Sequence, residues 1–425
     1  MNRKHFIQQA AALTSGALLI PHILLANSKS NPVILLVSGW QDVNIGDIAH
    51  TPGLLHVLQT FIPKAKIILW KKSRGEEVAK MLHRDFPKVK IIYGDVDADR
   101  NVDNPEVQEA FKTADIMIHG SGPAVVGQNN LEAWVKYSNK PFGIYGTTIQ
   151  FINDHLKTLL RKASFIYTRE TASIKKLQEA GITGEHISFA PDATFYMDIQ
   201  DKTKAGKFLT ENKLEPQKFI CVIPRLRVTP YYQFRPNNAG WTDEKIKKTN
   251  ELNESKKEVD HAKLREAMIA WVRETGNKVL VCPEMTYQVG IMDELLINPL
   301  PDDVKPHIIK RGYWMPDEAA SVYAKAHSVL SFECHSPIIA AANGIPFFYL
   351  RQPEDTIKGQ MYYDLGFDDW VFEIEQTSGK QIAARLREVW QNYGQAKSKV
   401  ATVMKRIDKI YADGTDFVKE EIKKS

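Results

Sequence analysis

The sequence predicts an α/β protein of two Rossmann-like domains facing one shared cleft, and three observations lead there. Short apolar runs alternate with amphipathic helical stretches along the chain, the pattern of parallel sheets covered on both faces. The alternation lapses once, in a polar, Lys-rich stretch before Lys218, and restarts at Phe219. The length of 425 residues, with 43% hydrophobic and 25% charged content, suits two cores, because single cores stop growing before about 300 residues.

The elements follow in order. Strands are expected at 32–37, 66–69, 89–93, 115–118, 142–145, 165–167 and 187–189, then at 219–223, 278–282, 307–309, 328–332 and 346–350. Helical periodicity appears at 49–58, 262–273 and 316–326, and residues 376–425 read as helices with a solvated face of mixed charge. The segment 229–261 is long, polar and charged, and reads as a lid or an insertion. The expected domains are therefore 27–200 and 201–425, the second carrying the C-terminal helices.

Residues 1–26 differ from the rest. Arg3 and Lys4 precede an uncharged stretch at 10–26, and polar Asn27-Ser28-Lys29-Ser30 follows, the layout of a signal peptide. Its start also resembles a twin-arginine signal with one Arg replaced by Lys. Pro21 interrupts the apolar run, which is too short for a stable membrane span. The mature chain is expected to be exported to the periplasm, the alternative being a buried N-terminal helix. A net charge of +5 from 56 basic and 51 acidic residues, without blocks of one sign, gives no reason to expect nucleic acid. Cys221, Cys282 and Cys334 are too few and too scattered for a zinc cluster or a disulfide framework. No His/Asp/Glu spacing of metal-ligand type appears, so no metal is implied, and no cofactor is expected.

In open α/β sheets ligands sit at the carboxyl ends of the strands, so residues just after strands are the candidates. Asn44, Gly46 and Asp47 lie on a Gly-containing turn opening a helix, suited to a phosphate or carboxylate, or simply to an N-cap and a tight turn. Gly120, Ser121 and Gly122 form a second such turn, small enough for a ligand to approach the backbone. Arg225 and Arg227, with Arg235 further along the same loop, are candidate anion binders or a surface ion-pair cluster. Glu284 and Glu333 each follow a strand; paired carboxylates suit acid/base work on glycosidic or ketal bonds, and both also fit helix caps. His335 opens a small-residue helix after the strand at 328–332, and Arg351 follows the last strand. Trp40, Trp314, Tyr231 and Tyr232 near loop ends are candidates for stacking on sugar rings.

Several of these pieces carry a resemblance. Asn44-Ile-Gly-Asp47, Gly120-Ser-Gly122, Arg169-Glu-Thr-Ala-Ser173, Pro191-Asp-Ala-Thr-Phe195, Val222-Ile-Pro-Arg225, Glu333-Cys-His-Ser-Pro-Ile-Ile-Ala340 and Gly344-Ile-Pro346 stand in the order found in the polysaccharide pyruvyl transferase family, which the chain resembles over roughly 33–370. The resemblance implies a fold similar to two-domain (GT-B-like) glycosyltransferases. It also implies transfer of the enolpyruvyl unit of phosphoenolpyruvate to two sugar hydroxyls of a polysaccharide or oligosaccharide, forming a ketal. It makes His335 the acid/base group and Arg225 part of the donor site. The family carries Arg-x-His where this chain has Glu333-Cys334-His335, so a carboxylate replaces a cation beside the expected phosphate, where it repels. Two further readings therefore stand beside the transferase: an exported enzyme that degrades or removes acidic substituents from polysaccharide as a hydrolase or lyase, and a non-catalytic carbohydrate-binding protein.

Overall fold

The computed structural model describes residues 31–234 and 240–424; the expected leader and Arg235 lie outside the described residues. In the first half, β1 (Val33–Ser38), β2 (Lys66–Lys71), β3 (Lys90–Ile92), β4 (Ile116–His119), β5 (Phe142–Thr147), β6 (Phe165–Thr168) and β7 (Ile187–Phe189) form a parallel sheet in the order β3-β2-β1-β4-β5-β6-β7. In the second, β8 (Phe219–Ile223), β9 (Lys278–Val281), β10 (Ile308–Lys310), β11 (Ser328–Ser331), β12 (Phe347–Arg351) and β13 (Val371–Glu373) form another in the order β10-β9-β8-β11-β12-β13. Helices cover the central strands on both faces, which is why β1 and β8 read as unbroken apolar runs rather than alternating ones. Every expected strand is present, and β13 is an additional three-residue edge strand.

Each strand order reverses beside its first strand, between β1 and β4 and between β8 and β11. At such a reversal the flanking loops diverge and leave a crevice at the carboxyl ends of the strands. The loops after β8 and β11 carry Arg225 and Glu333-Cys334-His335, so the topology brings these residues to one place. The helix Ile45–Phe61, almost wholly buried, begins at the matching crevice of the first sheet. Backbone bonds join the halves there: Ile45 N donates to Glu284 O at 2.9 Å and Thr286 N to Val43 O at 3.0 Å. One apolar core runs from the inner face of the first sheet through this helix into the second half.

Of the polar segment read as a lid or insertion, residues 243–261 form the upstream part of one helix, Asp243–Thr275, whose Lys and Glu residues pair along the helix as in Lys248–Glu244 at 2.6 Å. The last helix, Tyr393–Lys424, crosses back to the first half: Tyr411 Oη donates to Asp192 O at 2.7 Å, and Tyr167 Oη to Gly414 O at 3.2 Å. Among the described residues no helix is long and apolar enough to cross a membrane.

Candidate active site

After β11 the chain turns through Glu333 and Cys334 into the helix His335–Ala342. Glu284, just after β9, reaches the start of that helix. Its Oε2 accepts from Ser336 N at 2.6 Å and Ser336 Oγ at 2.8 Å, and its Oε1 lies 3.1 Å from His335 Nδ1. A carboxylate facing Nδ1 fixes a proton there and leaves Nε2 toward Asp192, whose Oδ2 is 3.8 Å away. His335 is 7% exposed whereas Glu284 and Asp192 are 0% exposed, so of the three only the imidazole is open to the cleft. Burial works against a charged imidazole, but Cys334 and Glu284 outweigh it and hold the His335 pKa well above its ordinary value. The ring rests on Gly46: a Cβ added there would lie 2.2 Å from His335 Cγ and Nδ1.

Asp192 follows β7 and is the hub of a buried network. Its Oδ1 lies 2.9 Å from His50 Nδ1 and accepts from Thr194 N at 3.0 Å, and its Oδ2 accepts from Arg169 Nη1 at 2.7 Å. Burial alone would raise this carboxyl; His50 and Arg169 reverse the effect and hold it well below the usual range. Arg169 Nε donates to Thr148 Oγ1 at 2.7 Å, and Thr148 in turn donates to Glu170 Oε2 at 3.0 Å. Burial pushes the Glu170 carboxyl up to about 7. His50 Nε2 has no hydrogen-bond partner and lies 3.7 Å from Asp47 Oδ1.

On the other side of His335, Arg225 Nη1 donates to Asp355 Oδ1 at 2.5 Å and to Gln352 Oε1 at 3.2 Å, while its Nε is 3.4 Å from Glu333 Oε2. Lys358 Nζ shares Asp355 at 2.9 Å. Gln288 Nε2 donates to the other Glu333 oxygen at 2.7 Å. Burial lifts the Glu333 carboxyl to about 7, against the pull of Arg225 and with the push of Glu284. Two cations and two carboxylates thus meet beside His335, and one of the carboxylates is poised to carry a proton near neutrality.

A sequence profile of the polysaccharide pyruvyl transferase family matches residues 44–352. The chain belongs to this family. The matched span runs from the cap of the helix Ile45–Phe61 to Gln352 and takes in Asp192, Arg225, Glu284, Glu333 and His335, with Asp355 and Lys358 just beyond it. Among solved structures, a glycosyltransferase from Rickettsia africae is similar over 92% of this chain and 98% of its own, with TM-score 0.58 and 13% identity. Anabaena HepE in complex with UDP-glucose is similar over 92% and 98%, with TM-score 0.54 and 11% identity. The UDP-GlcNAc 2-epimerase of Neisseria meningitidis is similar over 87% and 94%, with TM-score 0.51 and 12% identity. At these identities the likeness is one of fold, the two-domain GT-B type. No curated protein sequence matches the chain.

Several residues expected to bind ligand are engaged otherwise in this pyruvyl transferase family member. The Asn44 side chain accepts from Gly46 N at 2.7 Å and Asp47 N at 3.3 Å, and Ile45 N is bonded to Glu284 O, so the first turn of the helix offers an anion no free N–H. Asn44 is the cap, and Gly46 serves the close approach of His335. Gly120, Ser121 and Gly122 are buried against neighbouring loops: Trp40 Nε1 donates to Ser121 O, Ala193 N to Ser121 Oγ, and a Cβ at Gly120 would lie 2.9 Å from Ser38 Oγ. Their smallness serves packing. Arg227 is clamped by both oxygens of Asp260 at 2.6 and 2.9 Å and is also paired with Glu354 and Glu375, which leaves it no free charge for a substrate. Arg351 is likewise held by Glu373 at 2.6 Å and by Thr356 O. Glu284 orients His335 rather than meeting substrate, and Trp314 is a core residue bonded to Pro283 O.

The sequence reading missed Asp192, His50, Gln288, Asp355 and Lys358 as parts of the site. Asp192 had a signal, the Pro191-Asp piece of the family pattern, and His50 another, its place one turn after Asp47. The fold also collects what no local spacing revealed: ligand atoms of His50, Asp192 and His335, all buried, lie within 4.8 Å of one another.

Proposed function

We propose that this transferase moves the enolpyruvyl unit of phosphoenolpyruvate onto two hydroxyls of a sugar in a polysaccharide, making a pyruvate ketal and releasing phosphate. The observation that carries the reading is His335 held between Glu284 and Asp192 where the two sheets meet, a setting that favours its cationic form. In the first step its Nε2 gives a proton to the donor methylene, and C2 becomes an oxocarbenium-like centre that the first hydroxyl oxygen attacks. The proton lost by that hydroxyl returns to Nε2, so the imidazole serves as acid and then base. Phosphate then leaves with the electrons of its C–O bond, the second hydroxyl adds to C2, and its proton goes to the departing phosphate.

Donor charge is met by Arg225 and Lys358. With Asp355 and Glu333 both ionised this group is neutral overall; with Glu333 protonated it carries one net positive charge and the acid can donate a hydrogen bond. Glu333 therefore serves the donor in its protonated form. The family assignment speaks for a transferase, and no geometry favours the hydrolase, lyase or binding-only readings, because both oxygens of Glu284 are already used within the protein. Export by residues 1–26 belongs to the proposal as well, and cell fractionation tests it.

The test is to incubate the protein with phosphoenolpyruvate and a panel of oligosaccharide acceptors, following phosphate and acid-labile ketal pyruvate. Wild type should release the two in equal amounts, and His335→Gln should release neither while keeping its fold. Stoichiometric ketal formation by His335→Gln would overturn the role of His335, and donor consumption without ketal would overturn the transfer.

A further inference from the structure

We propose that His50, Asp192 and His335 form a binding site for one transition-metal dication of the Zn²⁺ class, and that the bound ion shuts off the proton donor. The second clause rests on the reading of His335 given above; the first does not.

The three side chains come from the middle of one helix, the loop after β7 and the start of another helix, and each is less than a tenth exposed. Two imidazoles and one carboxylate are the donor set that zinc-like ions take with a coordination position left open, whereas Mg²⁺ and Ca²⁺ seek oxygen ligands. The spacing is close to what an ion requires. Bonds of about 2.0–2.1 Å put neighbouring ligand atoms about 2.9–3.4 Å apart. His50 Nδ1 and Asp192 Oδ1 stand 2.9 Å apart, His335 Nε2 and Asp192 Oδ2 3.8 Å apart, and one ligand atom from each residue lies within 4.8 Å of the other two, so closure takes movements of up to about 1.4 Å.

Two further observations point to a ligand. Glu284 sits on His335 Nδ1, which leaves the Nε2 lone pair for coordination, the carboxylate–imidazole–metal arrangement that orients ligating histidines. His50 is 0% exposed; its Nδ1 faces Asp192 and its Nε2 faces Asp47 Oδ1 at 3.7 Å, a second carboxylate–imidazole pair of the kind that orients a ligating histidine. The charge balance agrees: with neutral imidazoles and Glu170 protonated, the surrounding Asp47, Asp192 and Glu284 exceed Arg169 by two negative charges, which a dication matches. Arg169 stays on Asp192 Oδ2, so the carboxylate ligates through one oxygen and the site is weaker than one with an unshared Asp. A metal on Nε2 occupies the nitrogen that must carry the proton, hence the inhibition.

Co²⁺, a spectroscopic substitute for Zn²⁺, is the probe. The full-length chain, stripped with chelator and free of donor and acceptor, should take up one equivalent of Co²⁺ with the intense visible bands of a four- or five-coordinate site, and one equivalent of Zn²⁺ should abolish them. His50→Ala should lose the bands, while His56→Ala, altered two turns further along the same helix, should keep them. If His50→Ala does not fold, X-ray absorption of the Zn²⁺-loaded wild type replaces it and should show two imidazole ligands. A spectrum that stays that of the aqueous ion, bands that survive in a folded His50→Ala, or fewer than two imidazoles would overturn the site. In the transfer assay one equivalent of Zn²⁺ should lower the rate more than tenfold, reversibly with chelator. Unimpaired transfer by the loaded enzyme would overturn the inhibition alone, and absence of transfer without metal would count against the proposed reaction rather than the site.

Discussion

Replacing Gly46 by Ala perturbs the site through a single carbon. The added Cβ would lie 2.2 Å from His335 Cγ and Nδ1 and 2.4 Å from His335 Cβ, whereas carbon atoms in contact prefer about 3.5–4.0 Å. Because the His335 Cβ is itself in the way, no side-chain rotation clears the overlap. The helices Ile45–Phe61 and His335–Ala342 must separate by about 1 Å. Overpacking of this kind costs about 1–3 kcal/mol, and the better helix propensity of Ala returns up to about 1 kcal/mol, so the clash wins and the midpoint temperature falls by a few degrees. The effect on rate is larger, since a catalytic group misplaced by about 1 Å loses roughly 100-fold. Steady-state phosphate release and a thermal melt measure both. Gly206→Ala is the control: nothing lies within 4 Å of its added carbon, and it should be neutral or slightly stabilising. Transfer within twofold of wild type by Gly46→Ala, at an unchanged melting temperature, would refute the reasoning.

Three other predictions address charge. If Glu333 serves the donor as an acid, the KM for phosphoenolpyruvate should rise as pH increases through about 7, and Glu333→Gln should flatten that rise; an unaltered profile in the variant would count against it. Glu170, raised to about 7 in the fold from 4.5, binds a proton in the native state across that interval that the unfolded chain has released. Its contribution is fully present below about pH 4.5 and lost as pH rises through 7, on the order of 3 kcal/mol, and denaturant titrations of wild type and Glu170→Gln at pH 5 and pH 8 should show the difference. Arg227→Met leaves Asp260 buried without its partner and should lower stability by about 3–5 kcal/mol while leaving the donor KM of the folded fraction unchanged; a raised KM would return Arg227 to the substrate.

The strands were legible because a parallel strand buried on both faces must be apolar throughout, as in the Val-Ile-Leu-Leu-Val of β1. Their order was not, since nothing local says that β4 lies beside β1. Arg225, Glu333 and His335 were legible because the post-strand rule holds at a crevice whichever way the sheet is wound. Arg227 misled because charge alone does not reveal where the partners are, and Asp260 comes from the middle of a helix that read as a polar insertion. The turns at Gly46 and Gly120 misled for a related reason: small residues permit close approach, and here the approaching group is protein. His50 and Asp192 were overlooked as a pair because 142 positions separate them, and only the fold makes them neighbours.

The last helix has a consequence in time. The hydroxyl of Tyr411 that supports the backbone of Asp192 is encoded 219 residues downstream of it. At ordinary elongation rates that interval is on the order of 10–40 s. Through that interval the nascent first half has its strands but lacks the strut that steadies its reactive centre. A message cut short between Glu373 and the final helix would yield a chain with both sheets and an unsupported Asp192, so competence waits for the helix Tyr393–Lys424.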